Sequence, residues 1–195
     1  MDTRFSPLRE HPLAAGARVL RQADLAAHAV TSGSPALDVM TDFSHVDAVR
    51  ISSNVPIDTA LEQMKNAGVR LLFVTAPGDE LLGVVTSRDI EGEKPMQAQR
   101  AIGVTRSEVL VRDIMTRRED LQVLQLEDVR RARVGDIVAT LKRMGRQHAI
   151  VVETGADGTF VRGMFSTTRI GRQLGAVLEV GELARTFAEI EAALR

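Results

Sequence analysis

The sequence predicts an α+β fold: two β-α-β-β-α repeats packed as a pseudo-twofold pair, with a helix flanking each end. Two internal matches carry this reading. Leu82-Gly83-Val84-Val85-Thr86-Ser87-Arg88-Asp89-Ile90 pairs with Arg162-Gly163-Met164-Phe165-Ser166-Thr167-Thr168-Arg169-Ile170. Each reads as a short buried strand that ends in a hydroxyl-bearing turn and enters a helix. Leu37-Asp38-Val39-Met40-Thr41 recurs as Arg112-Asp113-Ile114-Met115-Thr116, and each copy precedes its Gly-containing segment in the same order.

The elements follow along the chain. Residues 1–34 form an N-terminal extension, in which Leu13, Leu20 and Val30 suit one face of an amphipathic helix. The first repeat is assigned to residues 35–103. In it Ile57, Leu61 and Met64 fall at helical spacing, Asp58 and Thr59 suit the cap, and Gly68 suits a left-handed stop. Leu71-Leu72-Phe73-Val74 is a continuous apolar run, the pattern of a strand covered on both faces. Ala76-Pro77-Gly78-Asp79 supplies turn chemistry, and the returning strand leads into Thr86.

The second repeat, residues 104–176, restates this order through the helix at Arg133 to Leu141, Gly145, the strand at Ala149 to Val152 and the turn Gly155-Ala156-Asp157-Gly158. Phe73 aligns with Ile150 and Gly83 with Gly163, which leaves three extra residues in the second hairpin. They are expected in a longer turn at the exposed tip, where insertion costs least. Residues 177–195 place Leu183, Phe187 and Ile190 on one face, with Leu194 a turn later, as in a docking or dimer-contact helix. One repeat alone is near the lower size limit for independent folding, and pairing two relieves that limit.

Composition removes several functions. Lys plus Arg total 25 against 26 for Asp plus Glu, so the near-neutral chain has no global electrostatic ground for binding nucleic acid or an anionic membrane. Without cysteine there is no disulfide, zinc-thiolate site or thiol nucleophile. With neither Trp nor Tyr, few open platforms exist for stacking bases. No apolar run approaches the roughly 18 residues of a membrane span, and the cytoplasm is the expected compartment. His11, His28 and His45 have no metal-ligand spacing, and no metal is expected. No nucleophile-base pair or Walker-type loop is visible, so an enzyme is not expected. Arg112, Arg117, Arg118, Arg130, Arg131 and Arg133 are interleaved with acids and read as a salt-bridged surface. Met40 and Met115 read as core residues at the junction of the repeats.

Thr86-Ser87-Arg88-Asp89 has two readings. As Ser/Thr-x-x-acid it is a capping box, in which hydroxyl and acid satisfy free helix amides and no ligand is needed. As a binding site, its carboxylate can accept from two vicinal hydroxyls while the hydroxyl and following amides face an anion at a helix start. The second copy carries Arg169 in place of the acid, and an Arg has no lone pair to offer a diol.

The combination of Asp-Val-Met-Thr, the apolar hairpin strand and Gly-Val-Val-Thr-Ser-Arg-Asp-Ile at 83–90 resembles the cystathionine-β-synthase (CBS) domain family. The two copies, roughly Pro35 to Gly175, resemble its tandem arrangement, the Bateman module. The resemblance implies a non-catalytic regulatory protein. Such a protein would hold AMP, ADP, ATP or S-adenosylmethionine between the paired domains, with no required cofactor, form a homodimer, and pass occupancy to a partner protein. It assigns ribose and phosphate contacts to Thr86, Ser87, Arg88 and Asp89. The adenine slot falls to the segment around Ile51 and Ser52 and to the strand start at Arg70, Leu71 and Leu72. A second cleft would draw on Ser166, Thr168, Arg169 and His148 and be empty or atypical; His148 alone also reads as structural. The competing reading is a dimeric interaction scaffold whose clefts are vestigial.

Overall fold

The computed structural model describes residues 30–175, together with residues 12 and 16–17. The helices expected around Leu13 and Leu20 and over 177–195 lie outside the described residues. A 3-10 turn at Ala36–Val39 leads into β1 (Thr41–Asp42) and β2 (Arg50–Ser52). Helix α1 (Ile57–Ala67), the hairpin β3 (Leu71–Thr75) and β4 (Leu81–Thr86), α2 (Ser87–Glu91) and α3 (Lys94–Ile102) follow. The second half runs α4 (Val111–Ile114), β5 (Thr116–Arg117), β6 (Val123–Gln125), α5 (Leu126–Arg131) and α6 (Val134–Met144). It ends in the hairpin β7 (His148–Gly155) and β8 (Gly158–Ser166) and in α7 (Thr167–Leu174).

The strands form two four-stranded sheets, ordered β2-β3-β4-β5 and β1-β8-β7-β6. Each sheet takes one edge strand from the other repeat. β1 of the first repeat pairs antiparallel with β8 through Thr41–Met164 and Asp42–Gly163, and β5 of the second pairs with β4 through Gly83–Arg117 and Val84–Thr116. The Asp-Val-Met-Thr segments therefore travel with the opposite half, and Met40 lies in the core of the second half while Met115 packs on that of the first.

Period-two alternation in the hairpin strands builds the layers. Leu72, Val74 and Val85 face the core under α1 to α4 with Ile57, Met64 and Ile90; Ala149, Val151 and Phe165 face the matching core under α5 to α7. The alternate residues Leu71, Phe73, Val84, Ile150 and Val152 meet between the sheets, where Phe43 packs edge-on against Phe73 with ring centroids 5.4 Å apart. Both faces of the central strands are thus covered, as their continuous apolar runs require.

Gly68 and Gly145 end α1 and α6 in the left-handed region, at φ 65° and 61°, as predicted. The predicted cap of α1 shifts. Pro56 holds the cap position, and Asp58 and Thr59 lie inside the first turn. Proline has no side-chain acceptor to cap the helix, and the amide of Ile57 is met by the Val109 carbonyl instead, at 3.1 Å. The hairpin tips also differ from expectation. The extra residues of the second hairpin extend the ladder through Glu153–Phe160, Thr154–Thr159 and Gly155–Gly158, leaving only Ala156 and Asp157 in the turn. Ladder pairing satisfies backbone groups that a longer loop would leave to water.

Candidate functional site

The first Gly-containing segment delivers Thr86 to the end of β4 and Asp89 to the first turn of α2. The local pattern closes into a capping box. Asp89 Oδ2 accepts from the Thr86 amide at 2.8 Å and from its hydroxyl at 2.7 Å, while Thr86 Oγ1 accepts from the Asp89 amide at 3.2 Å. Asp89 Oδ1 meets Lys94 Nζ at 2.7 Å. The structural reading of this tetrapeptide therefore holds, and the motif also faces a cleft.

That cleft, about 200 Å³, opens at one end of the layer between the sheets. Leu71, Val84, Leu121 and Ile150 give it apolar walls, and Thr86, Asp89, Thr116, Gln122 and Gln147 give it polar ones. Arg88 and Arg146 bring cations to it, and among the described residues neither is held in an ion pair. An apolar-walled cleft beside a hydroxyl, a carboxylate and two guanidinium groups suits a ligand with an apolar ring, hydroxyls and negative charge.

His148, at the start of β7, lines this same cleft. Burial first, and the neighbouring Arg70 charge second, push its imidazole down to about 4 against the opposing pull of Asp89. At neutral pH it is an uncharged ring that can accept or donate one hydrogen bond. His148, expected in a second cleft with Ser166, Thr168 and Arg169, thus lines the same cleft as Asp89.

Of the residues predicted around the first motif, Thr86, Arg88, Asp89 and Leu71 come together in the cleft. Arg70 and Ser87 line an adjoining open groove of about 720 Å³ with Lys65 and Arg172, which shares Arg88 and Gln147 with the cleft. Ile51 and Leu72 are buried in the core beneath α1, and Ser52 is exposed on edge strand β2; none of the three lines either cavity. The walls expected from those segments come from the other repeat. Leu121 and Gln122 precede β6 as Ala48 and Val49 precede β2, and Arg146 to His148 correspond to Val69 to Leu71. The repeat alignment contained this signal, but crossing it between the copies requires the tertiary pairing.

Of the second copy, Ser166, Thr168 and Arg169 line neither cavity. Ser166 stands at the cap of α7 without a side-chain hydrogen bond to the helix amides, Thr168 is half-buried and Arg169 is exposed. Among the described residues no three His, Asp or Glu side chains are grouped to hold a metal, and no helix is long and apolar enough to cross a membrane. The arginine-rich surface is paired as expected: Arg118 meets Glu80 at 2.7 Å and Arg130 meets Glu127 at 2.8 Å.

Residues 36–93 match the CBS domain family. The chain therefore carries a CBS domain over those residues. Its fold is that of a tandem CBS pair, and solved structures share it. An uncharacterized conserved protein from Pyrococcus horikoshii is 19% identical with TM-score 0.54, covering 77% of this chain and 98% of its own. CBSX2, solved in complex with AMP, is 24% identical with TM-score 0.51, covering 72% and 95%. The CBS domain pair of protein MJ0100, solved with 5′-methylthioadenosine and S-adenosyl-L-methionine, is 18% identical with TM-score 0.50, covering 73% and 96%. A comparison with curated proteins yields no match. The two motif copies of this chain are unequal, since Asp89 has no acidic counterpart at Arg169.

Proposed function

We propose that this CBS pair is a cytoplasmic, non-catalytic regulatory module. It binds an adenosine-containing ligand in the cleft between its halves and signals occupancy to a partner protein, acting as a homodimer. The observation that carries the reading is the convergence of Thr86, Asp89, Arg88 and Arg146 on one apolar-walled cleft built from both repeats. A ligand seated there touches both halves at once, so it binds best in one relative arrangement of them and shifts the population toward it. The AMP of CBSX2 and the adenosine derivatives of MJ0100 supply the ligand class.

Within that class, charge favours an adenine nucleotide. Phosphates gain from Arg88 and Arg146, whereas the sulfonium of S-adenosylmethionine is repelled by them. The ring lies between Leu71, Val84, Leu121 and Ile150, the ribose reaches Asp89, and the second motif, with Arg169 exposed, contributes no ribose site.

Calorimetry and thermal shift with AMP, ADP, ATP, S-adenosylmethionine and NADH test this on wild type and Asp89→Ala. A nucleotide binding below millimolar concentration and weakened by Asp89→Ala supports the site. No binding by any of the five sinks the sensor reading. The scaffold reading draws on one observation, that Asp89 is already satisfied by Thr86 and Lys94 without a ligand.

A further inference from the structure

Asp89 cannot serve a ribose diol in the arrangement the structure shows. A carboxylate offers about four lone-pair sites. Two on Oδ2 are taken by the Thr86 amide and hydroxyl, and one on Oδ1 is taken by Lys94 Nζ. A diol that donates both hydroxyls needs two sites and finds one, so an existing donor must leave. Thr86 is bound into the cap of α2, and its amide would lose a partner at a helix start. Lys94 is the easier to release: its side chain is 42% exposed against 15% for Asp89, and its ammonium can return to water.

The position of Lys94 is not explained by its own helix. It is the first residue of α3, whose first turn carries no acid, and a cation there opposes the helix dipole. Two contacts hold it instead. One is the Asp89 carboxylate; the other is the Ile114 carbonyl, to which Nζ donates at 3.0 Å. Ile114 is the last residue of α4, and two residues later Thr116 begins β5 and lines the cleft. Lys94 thus bridges the ligand-reading acid of the first repeat to the exchanged segment of the second.

Resting on the ribose assignment above, we propose that Lys94 is a built-in competitor for the ribose diol, and that ligand entry expels it from Asp89 and frees the Ile114 carbonyl. The same side chain then limits affinity and reports occupancy to the segment that crosses between the halves. Its displacement needs no change in either core.

The test measures AMP and 2′,3′-dideoxy-AMP affinity by calorimetry on wild type, Lys94→Met and Lys94→Gln. Both variants are expected to bind AMP about two- to fivefold more tightly, the range expected when a partly exposed ion pair no longer competes. Dideoxy-AMP should show no gain, because it lacks the hydroxyls that contend for Asp89. Hydrogen exchange at the Met115 and Thr116 amides should rise on AMP binding to wild type and be raised already in the variants. Unchanged or weaker AMP binding by both variants overturns the competitor while leaving the ribose site standing. An equal gain for dideoxy-AMP also overturns it. Failure of wild type and both variants to bind AMP removes the ribose assignment and the competitor together.

Discussion

Arg162, in β8 of the second repeat, donates through its guanidinium to the carboxylate of Asp42 in β1 of the first. Arg162 also reaches Glu153 at 3.2 Å, and Asp42 accepts from the amide and hydroxyl of Ser44 at 2.8 and 2.7 Å. The pair sits where the first repeat lends its edge strand to the second sheet. With β1 only two residues long, side-chain bonds supply much of what holds it there.

Asp42→Ala is therefore expected to lower stability by about 1–2 kcal/mol, the range for a partly buried charge-assisted pair. The Arg162 hydrogen bond, aided by Ser44, holds the Asp42 carboxyl well below the usual carboxylate range. A depressed folded-state value stabilises above the unfolded pKa near 3.8 and is lost as pH falls below it. Denaturant unfolding of wild type and Asp42→Asn at pH 7 and pH 3 should show a gap that narrows on acidification.

The glycines of the two matching segments are placed by the strand exchange. A Cβ on Gly83 would lie 2.3 Å from the Thr116 carbonyl oxygen, and one on Gly163 would lie 2.6 Å from that of Thr41. Both contacts are to backbone, which cannot step aside without breaking the β4–β5 or β1–β8 pairing. Gly83→Ala and Gly163→Ala should each cost roughly 1–3 kcal/mol. Gly155→Ala, where a Cβ meets nothing within 4 Å, is the control. Equal midpoints for all three variants would refute the close-approach account.

His148 makes a separate prediction for mild acid. Its value of about 4 lies below the ordinary 6.5, so the unfolded chain takes up a proton first as pH falls. Its contribution is complete above about 6.5 and declines toward pH 4, by as much as roughly 3 kcal/mol. His148→Gln should flatten the stability profile in that window and leave the fall below pH 3.8 intact. An NMR titration of the imidazole with a midpoint near 6.5 would contradict this.

Arg169→Asp restores the acid that the second motif lacks. At present α7 has no acid in its first turn, and Ser166 caps it without a side-chain bond. A carboxylate at this position can accept from the Ser166 amide as Asp89 does from that of Thr86. The expected gain is about 0.5–1 kcal/mol, read as a rise in Tm.

Much of this architecture is legible in the sequence. The duplication, the helix stops at Gly68 and Gly145, the doubly covered strands and the inequality of Asp89 and Arg169 all follow from local pattern, because caps and periodicity act over a few residues. The capping box at Thr86 to Asp89 is likewise local, and it forms as its spacing dictates.

What the tertiary structure alone decided is which copy supplies each part. β1 and β5 have nearly the same pattern, so either could edge its own sheet or the other, and only packing between distant residues resolves the choice. The packing of the two halves brings His148, Arg146 and Leu121 of the second repeat to Asp89 of the first, while on β2 Ile51 faces the core and Ser52 is exposed. Lys94 belongs to neither repeat motif. Its hold on Asp89 and Ile114 spans separations that no periodic pattern encodes, because an ammonium on a long flexible stem is placed by its partners and not by its neighbours in sequence.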